Sequence, residues 1–219
     1  MNRRPRLLAT AAFGAATALF LTGCGGGDSD SAGNDKIAGA DTGGESSASP
    51  SASASSAAVE RPKIELPGDL TYTFDWPKTG DAAKDAVLAD SEESIKAVDL
   101  AIVNQDPLDK AYLFYYEGEA AAGTEQFIQK YKDNKARTTG AYRFYNPVVA
   151  VDDDGTASLS YCEDQGKAFV KYLETNKVKK TEVTAKSYVI YHTSLKKDRQ
   201  GVWVIQKIAS QSGSAKCQP

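Results

Sequence analysis

Apolar and polar positions divide this 219-residue chain into three stretches. Residues 7–21 are apolar and uncharged. Residues 25–60 hold only Ile37 and Val59 as large aliphatics. From residue 61 apolar positions recur with regular periods. After a Gly80-Asp81 start signal, Val87, Leu88, Ser91, Ile95, Val98 and Ile102 fall on one helical stripe. Asp106-Pro107 ends that helix. A second, short helix is expected to carry Leu108, Tyr112, Tyr115 and Tyr116. A third runs from Thr124 with Phe127, Ile128 and Tyr131 at helical spacing. From Thr139 the period changes to two: Tyr142, Phe144, Val148 and Ala150 alternate, and Asp152-Asp153-Asp154-Gly155 makes a hairpin turn. Strands are expected over residues 156–162, 168–174, 182–195 and 202–210, with turns at Asn176 and at Arg199-Gln200-Gly201. Helices followed by a meander of strands predict an α+β fold, with the helices on one face of an antiparallel sheet.

Composition narrows the chemistry. The 26 basic and 29 acidic residues leave a net charge of -3, which gives no footprint for nucleic acid. One histidine excludes a multi-histidine metal site, and no cofactor or metal is expected. Residues 25–60 contain 7 Gly, 9 Ser and 8 Ala and carry a charge of -5, a composition that cannot bury enough surface to order itself. As a coil it reaches roughly 30–36 Å. Residues 61–219 remain as a single domain, acidic in residues 61–119 (-7) and basic in residues 120–219 (+6).

The N-terminus is an address. Basic residues Arg3, Arg4 and Arg6 precede the apolar run, whose 15 residues fall short of a membrane span. Leu21-Thr22-Gly23-Cys24 resembles the lipobox of bacterial lipoproteins. That resemblance implies a signal peptide over residues 1–23, a diacylglyceryl group on the Cys24 thiol, and cleavage just before it. It also implies residence on the outer face of the cytoplasmic membrane, where two acyl chains hold stably. Residues 24–60 become the lipidated cysteine and its linker.

Further motifs resemble a group of secreted actinobacterial lipoproteins with a nuclear-transport-factor-2-like domain. They are Leu66-Pro67-Gly68-Asp69, Thr156-Ala157 leading to Cys162 and then Glu163-Asp164, Gly201-Val202-Trp203-Val204, and the late Cys217. The resemblance implies three N-terminal helices packed on a curved, cone-like antiparallel sheet, and it supplies no catalytic motif. With Cys24 lipidated, Cys162 and Cys217 remain as a disulfide pair in an oxidising compartment.

Candidate sites are few. His192 is the one side chain that ordinarily titrates near neutrality. It alternates with Lys186, Tyr188, Ile190 and Ser194, while Val183, Ala185, Val189, Tyr191 and Leu195 form the more apolar face, so His192 is expected on the outside. Tyr112, Tyr115 and Tyr116, with His192, are the candidate ligand-binding residues, although rings so placed are more simply core. Asp99, Glu117 and Glu119 read as solvated. Asp152-Asp153-Asp154 departs from a calcium loop, because its acids are contiguous. No phosphate loop or nucleophile elbow is present. The expected function is therefore a non-catalytic envelope module that binds a small ligand, a wall polymer or an envelope protein. A pocket enzyme of isomerase or dehydratase type, or an accessory subunit of a secretion or wall-synthesis complex, are the alternatives.

Overall fold

A computed structural model describes residues 59–219. The expected signal peptide, Cys24 and the expected linker up to residue 58 lie outside the described residues. The element order is β1 (Leu70–Phe74), α1 (Ala82–Asn104), α2 (Lys110–Leu113), α3 (Gly118–Asp133), β2 (Ala136–Val151), β3 (Thr156–Tyr172), β4 (Val178–Lys179), a single helical turn at Ala185–Ser187, β5 (Tyr188–Lys197) and β6 (Trp203–Ser212). The sheet order is β1-β2-β3-β5-β6, and β4 adds to the far end of β3. The fold is α+β, as the pattern predicts.

Two corrections concern the sheet. A strand precedes the helices: in Leu70-Thr71-Tyr72-Thr73-Phe74 the large apolar residues alternate, and β1 pairs parallel with β2. The sheet is therefore mixed rather than antiparallel. The two strands expected over residues 156–162 and 168–174 are one, because Glu163, Asp164 and Lys167 stay paired with β2, with Gln165 and Gly166 at a register shift between them. Long β2 and β3 bend at irregularities between Ala141 and Arg143 and between Tyr145 and Val148, and such bulges curl a sheet into a concave surface. Gly140 sits at the first bend with φ +97°, where an added Cβ would lie 2.1 Å from the Lys167 carbonyl oxygen. Only glycine fits there.

The helices fill the concave side. Asp81 caps α1 by accepting from the amides of Ala83 and Lys84. Helix α1 buries Val87, Leu88, Ala97, Ala101 and Ile102, while Ile95 and Val98 pack at the margin. Helix α2 is one turn only. Leu108 is 60% exposed, and Tyr115 and Tyr116 lie beyond the helix end. There the backbone turns to pair with β6 instead: the Ile205 amide donates to the Tyr115 carbonyl at 2.8 Å, and the Glu117 amide donates to the Ile205 carbonyl at 3.0 Å. Helix α3 starts at Gly118, earlier than expected, and strand β5 starts later, at Tyr188. The core runs from Val87 and Ile102 through Tyr112 and Tyr116 to Leu159, Trp203 and Ile205.

The chain leading into β1 lies against this body. Arg61 donates from Nε and Nη2 to Asp90 Oδ1 at 2.9 and 2.8 Å, and Asp90 Oδ2 accepts from the Trp203 amide at 2.9 Å. No helix among the described residues is long and apolar enough to cross a membrane.

Candidate functional site

Between the concave face of the sheet and helices α1 and α3 lies a cavity of about 520 Å³. Seven aromatic residues share its walls with aliphatic and polar side chains. Tyr142 and Phe144 come from β2, Tyr161 from β3, Tyr191 from β5, and Phe127 and Tyr131 from α3. The register explains the assembly. Phe144, Glu163 and Val189 are cross-strand partners, as are Tyr161 and Tyr191, whose rings stack at 5.1 Å. On the same strands Tyr145, Cys162 and Ile190 pair one step away and point to the convex side. The stack extends through Tyr72 and Tyr142, at 5.8 Å, to β1.

Two carboxyl groups reach this apolar interior. Asp99 of α1 accepts hydrogen bonds from the Tyr72 hydroxyl and, at 2.7 Å, from Thr138 Oγ1. Burial pushes its proton affinity up, and the two hydroxyls pull it back. The expectation of a solvated Asp99 is corrected: it is 9% exposed. Glu163 is 6% exposed. Burial raises its pKa to about 7, the charges of Asp99 and Asp164 add to the rise, and the Tyr191 hydroxyl beside it acts in the opposite sense. Loss of water also holds the phenols of Tyr142, Tyr161 and Tyr191 well above their ordinary value, so they stay protonated donors. Glu117 and Glu119 are exposed, as expected.

A second cavity, of about 350 Å³, adjoins the first and shares Tyr131, Tyr142 and Gln165 with it. Its outer wall is the segment from β4 to the helical turn, with Lys179, Glu182 and Lys186. Among the described residues no cluster of three or more His, Cys, Asp and Glu side chains is placed to hold a metal ion.

The sequence-derived candidates scatter. Tyr116 lines the large cavity. Tyr112 is fully buried away from it, its hydroxyl donating to the Pro107 carbonyl at 2.6 Å. Tyr115 is fully buried, and its hydroxyl has no partner. His192 is exposed on β5 opposite Ser160 and Ala209, apart from the tyrosines. Cys162 and Cys217 form a disulfide with a Cα–Cα separation of 5.4 Å, and Tyr145 donates its hydroxyl to the Cys217 carbonyl beside it. Cys24 lies outside the described residues. Sequence reasoning passed over Glu163, which alternation from Tyr161 places on the concave face. Asp99 is weighed there but read as solvated, although it sits at i+4 from Ile95 and three before Ile102, beside the helical stripe.

The chain matches no protein-family profile and no curated protein sequence. Loose likeness to solved structures exists. A ketosteroid isomerase-like protein from Erwinia carotovora atroseptica gives 13% identity over 61% of this chain and 98% of the other, with a TM-score of 0.40. Aln2 from a Streptomyces species gives 12% identity over 62% and 93%, with a TM-score of 0.41. The intermembrane-space region of the chloroplast protein ARC6 gives 12% over 59% and 96%, with a TM-score of 0.37. At such scores the likeness carries nothing about this chain's activity.

Proposed function

We propose that the domain is a lipid-anchored envelope protein whose large cavity takes a small, ring-bearing, mostly apolar molecule, and that Glu163 exchanges a proton with it. The chemistry is of the isomerase or dehydratase type. One observation carries the reading: a carboxyl group with a pKa near 7 stands in an aromatic cavity of about 520 Å³. A general acid or base works best when its pKa lies near the working pH. An apolar core gains nothing from a buried carboxyl, which costs free energy wherever it is not paired. Glu163 would take a proton from carbon beside a polarised group. The phenols of Tyr142, Tyr161 and Tyr191 are at hand as donors for the charge that develops. A binding module without chemistry uses the same cavity and leaves Glu163 without a role. The anchor is supported by the lipobox ending in Cys24 and by a disulfide suited to an oxidising compartment.

A generic proton-abstraction probe tests the chemistry without knowledge of the substrate. In nitrobenzisoxazole a base removes the ring C–H proton, the C–H electron pair completes a nitrile, and the N–O bond breaks to release a phenolate. The full chain should accelerate this opening, with a rate that rises as pH passes through about 7. Glu163→Gln should lower it by roughly a hundredfold. An unchanged rate in folded Glu163→Gln sinks the proton-transfer reading and leaves the binding module.

A further inference from the structure

We infer that the molecule taken by the large cavity is a ring-bearing acid, its apolar body in the aromatic cavity and its anionic group in the adjoining cavity, between Lys179 and Lys186. This inference rests on the reading of the large cavity as a ligand site.

The charges are arranged by depth. The inner cavity carries Asp99 and Glu163, and both disfavour a second anion beside them. An anionic substituent therefore has to stay outside the aromatic walls. The adjoining cavity meets the inner one at Tyr131, Tyr142 and Gln165 and has two lysines to one glutamate, Glu182, on its lining. Among the described residues Lys179 and Lys186, like most of the lysines, form no ion pair, which leaves both charges available to a ligand. Their backbone is fixed. Lys179 sits on β4, paired across to Val170 of β3. Lys186 lies in the helical turn, where Thr184 and Ser187 bond reciprocally and the Thr184 amide donates to Ser187 Oγ at 3.1 Å. Gln165 stands half-buried at the junction, an amide donor reachable from both sides. A ligand charged at one end then has one productive orientation: its anion faces the lysines and its uncharged ring faces Glu163. For proton transfer this orientation matters as much as affinity.

A matched pair of fluorescent probes isolates the anion. Anilinonaphthalene sulfonate and phenylnaphthylamine share one ring system and differ by the sulfonate. The full chain, carrying Cys24→Ala to keep acyl chains off, should bind the sulfonate more tightly by roughly tenfold, the size of one charge-assisted contact. Lys179→Gln with Lys186→Gln should erase that preference and leave the neutral probe's affinity unchanged. Amide shifts on sulfonate binding should include Gln165 and Thr184, and naphthoate should displace it better than decanoate. Equal affinity for the two probes, absence of sulfonate binding, a preference that survives the double substitution, or displacement by decanoate alone each overturns the inference. The two readings fail separately. Loss of Glu163-dependent ring opening with the lysine-dependent preference intact removes only the proton transfer, and the reverse result removes only the anion seat.

Discussion

The hydroxyl of Tyr72, on the strand that precedes the helices, closes on the carboxylate of Asp99 in the second half of α1. With Thr138 on the other oxygen, Asp99 ties β1, α1 and β2 together from inside the cavity. It is thus held as an acceptor, while Glu163 of β3 lines the same cavity with its pKa raised to about 7. Asp99→Ala leaves two buried hydroxyls without their acceptor. A loss of about 2–4 kcal/mol in unfolding free energy by urea titration is expected. The Glu163 pKa, followed by carboxyl-carbon NMR, should fall, because a neighbouring negative charge has been removed.

Glu163 gives stability a pH dependence of unusual sign for an acid. Its folded pKa lies near 7, above its ordinary 4.5, so the folded state binds the proton more tightly than the unfolded state. The stabilisation is full below the unfolded pKa and is lost as pH rises through the folded one. Across that window the loss from this group is on the order of 3 kcal/mol. In Glu163→Gln the decline between about pH 5 and about pH 8 should flatten. A wild-type slope retained in the variant places the linkage elsewhere.

The disulfide fastens the C-terminal tail to β3, closing a loop of 55 residues. Removing it as Cys162→Ala with Cys217→Ala should cost about 4 kcal/mol, measured by thermal and urea unfolding. Intact mass without reductant should show no free thiol at these positions.

Gly140→Ala should be among the most damaging small substitutions, since its methyl group meets the Lys167 carbonyl and its φ is +97°. A loss of about 3 kcal/mol or more is expected, with the β2–β3 bend disturbed. A neutral result in thermal unfolding would show that the bend relaxes freely.

Cys24→Ala tests the anchor alone. The variant should leave the membrane fraction or persist as an unprocessed precursor. Full processing with unchanged membrane retention defeats the lipobox reading.

Much of the architecture was legible from periodicity: the capped first helix, the Asp-Gly hairpin and the exposed side of β5 with His192. The failures have physical causes. Tyr112, Tyr115 and Tyr116 imitate a helical face, yet the chain leaves the helix after Leu113 because its backbone finds partners on β6. Polar residues 163–167 look like a turn, but Glu163 and Asp164 are paired on both sides, with β2 and β5, and Lys167 is paired with β2. Charge was the misleading cue at Asp99, where position on the apolar stripe outweighed side-chain type. The hydroxyls that make its burial tolerable come from Tyr72 and Thr138, 27 and 39 residues away. No local pattern announces such partners.

The grip of Asp90 on Arg61 also fixes where the first described residues meet the domain. The same carboxylate reaches the amide of Trp203, at the start of β6, whereas the cavity is lined by Ile208, Ser210 and Ser212 at that strand's far end. About 20 Å of strand, at roughly 3.3 Å per residue, separates the two. Arg61 is thus held beside the start of β6, away from the end of that strand that lines the cavity. A pull on the chain ahead of Arg61 would load this ion pair and the first half of α1 before it reached the residues that line the cavity.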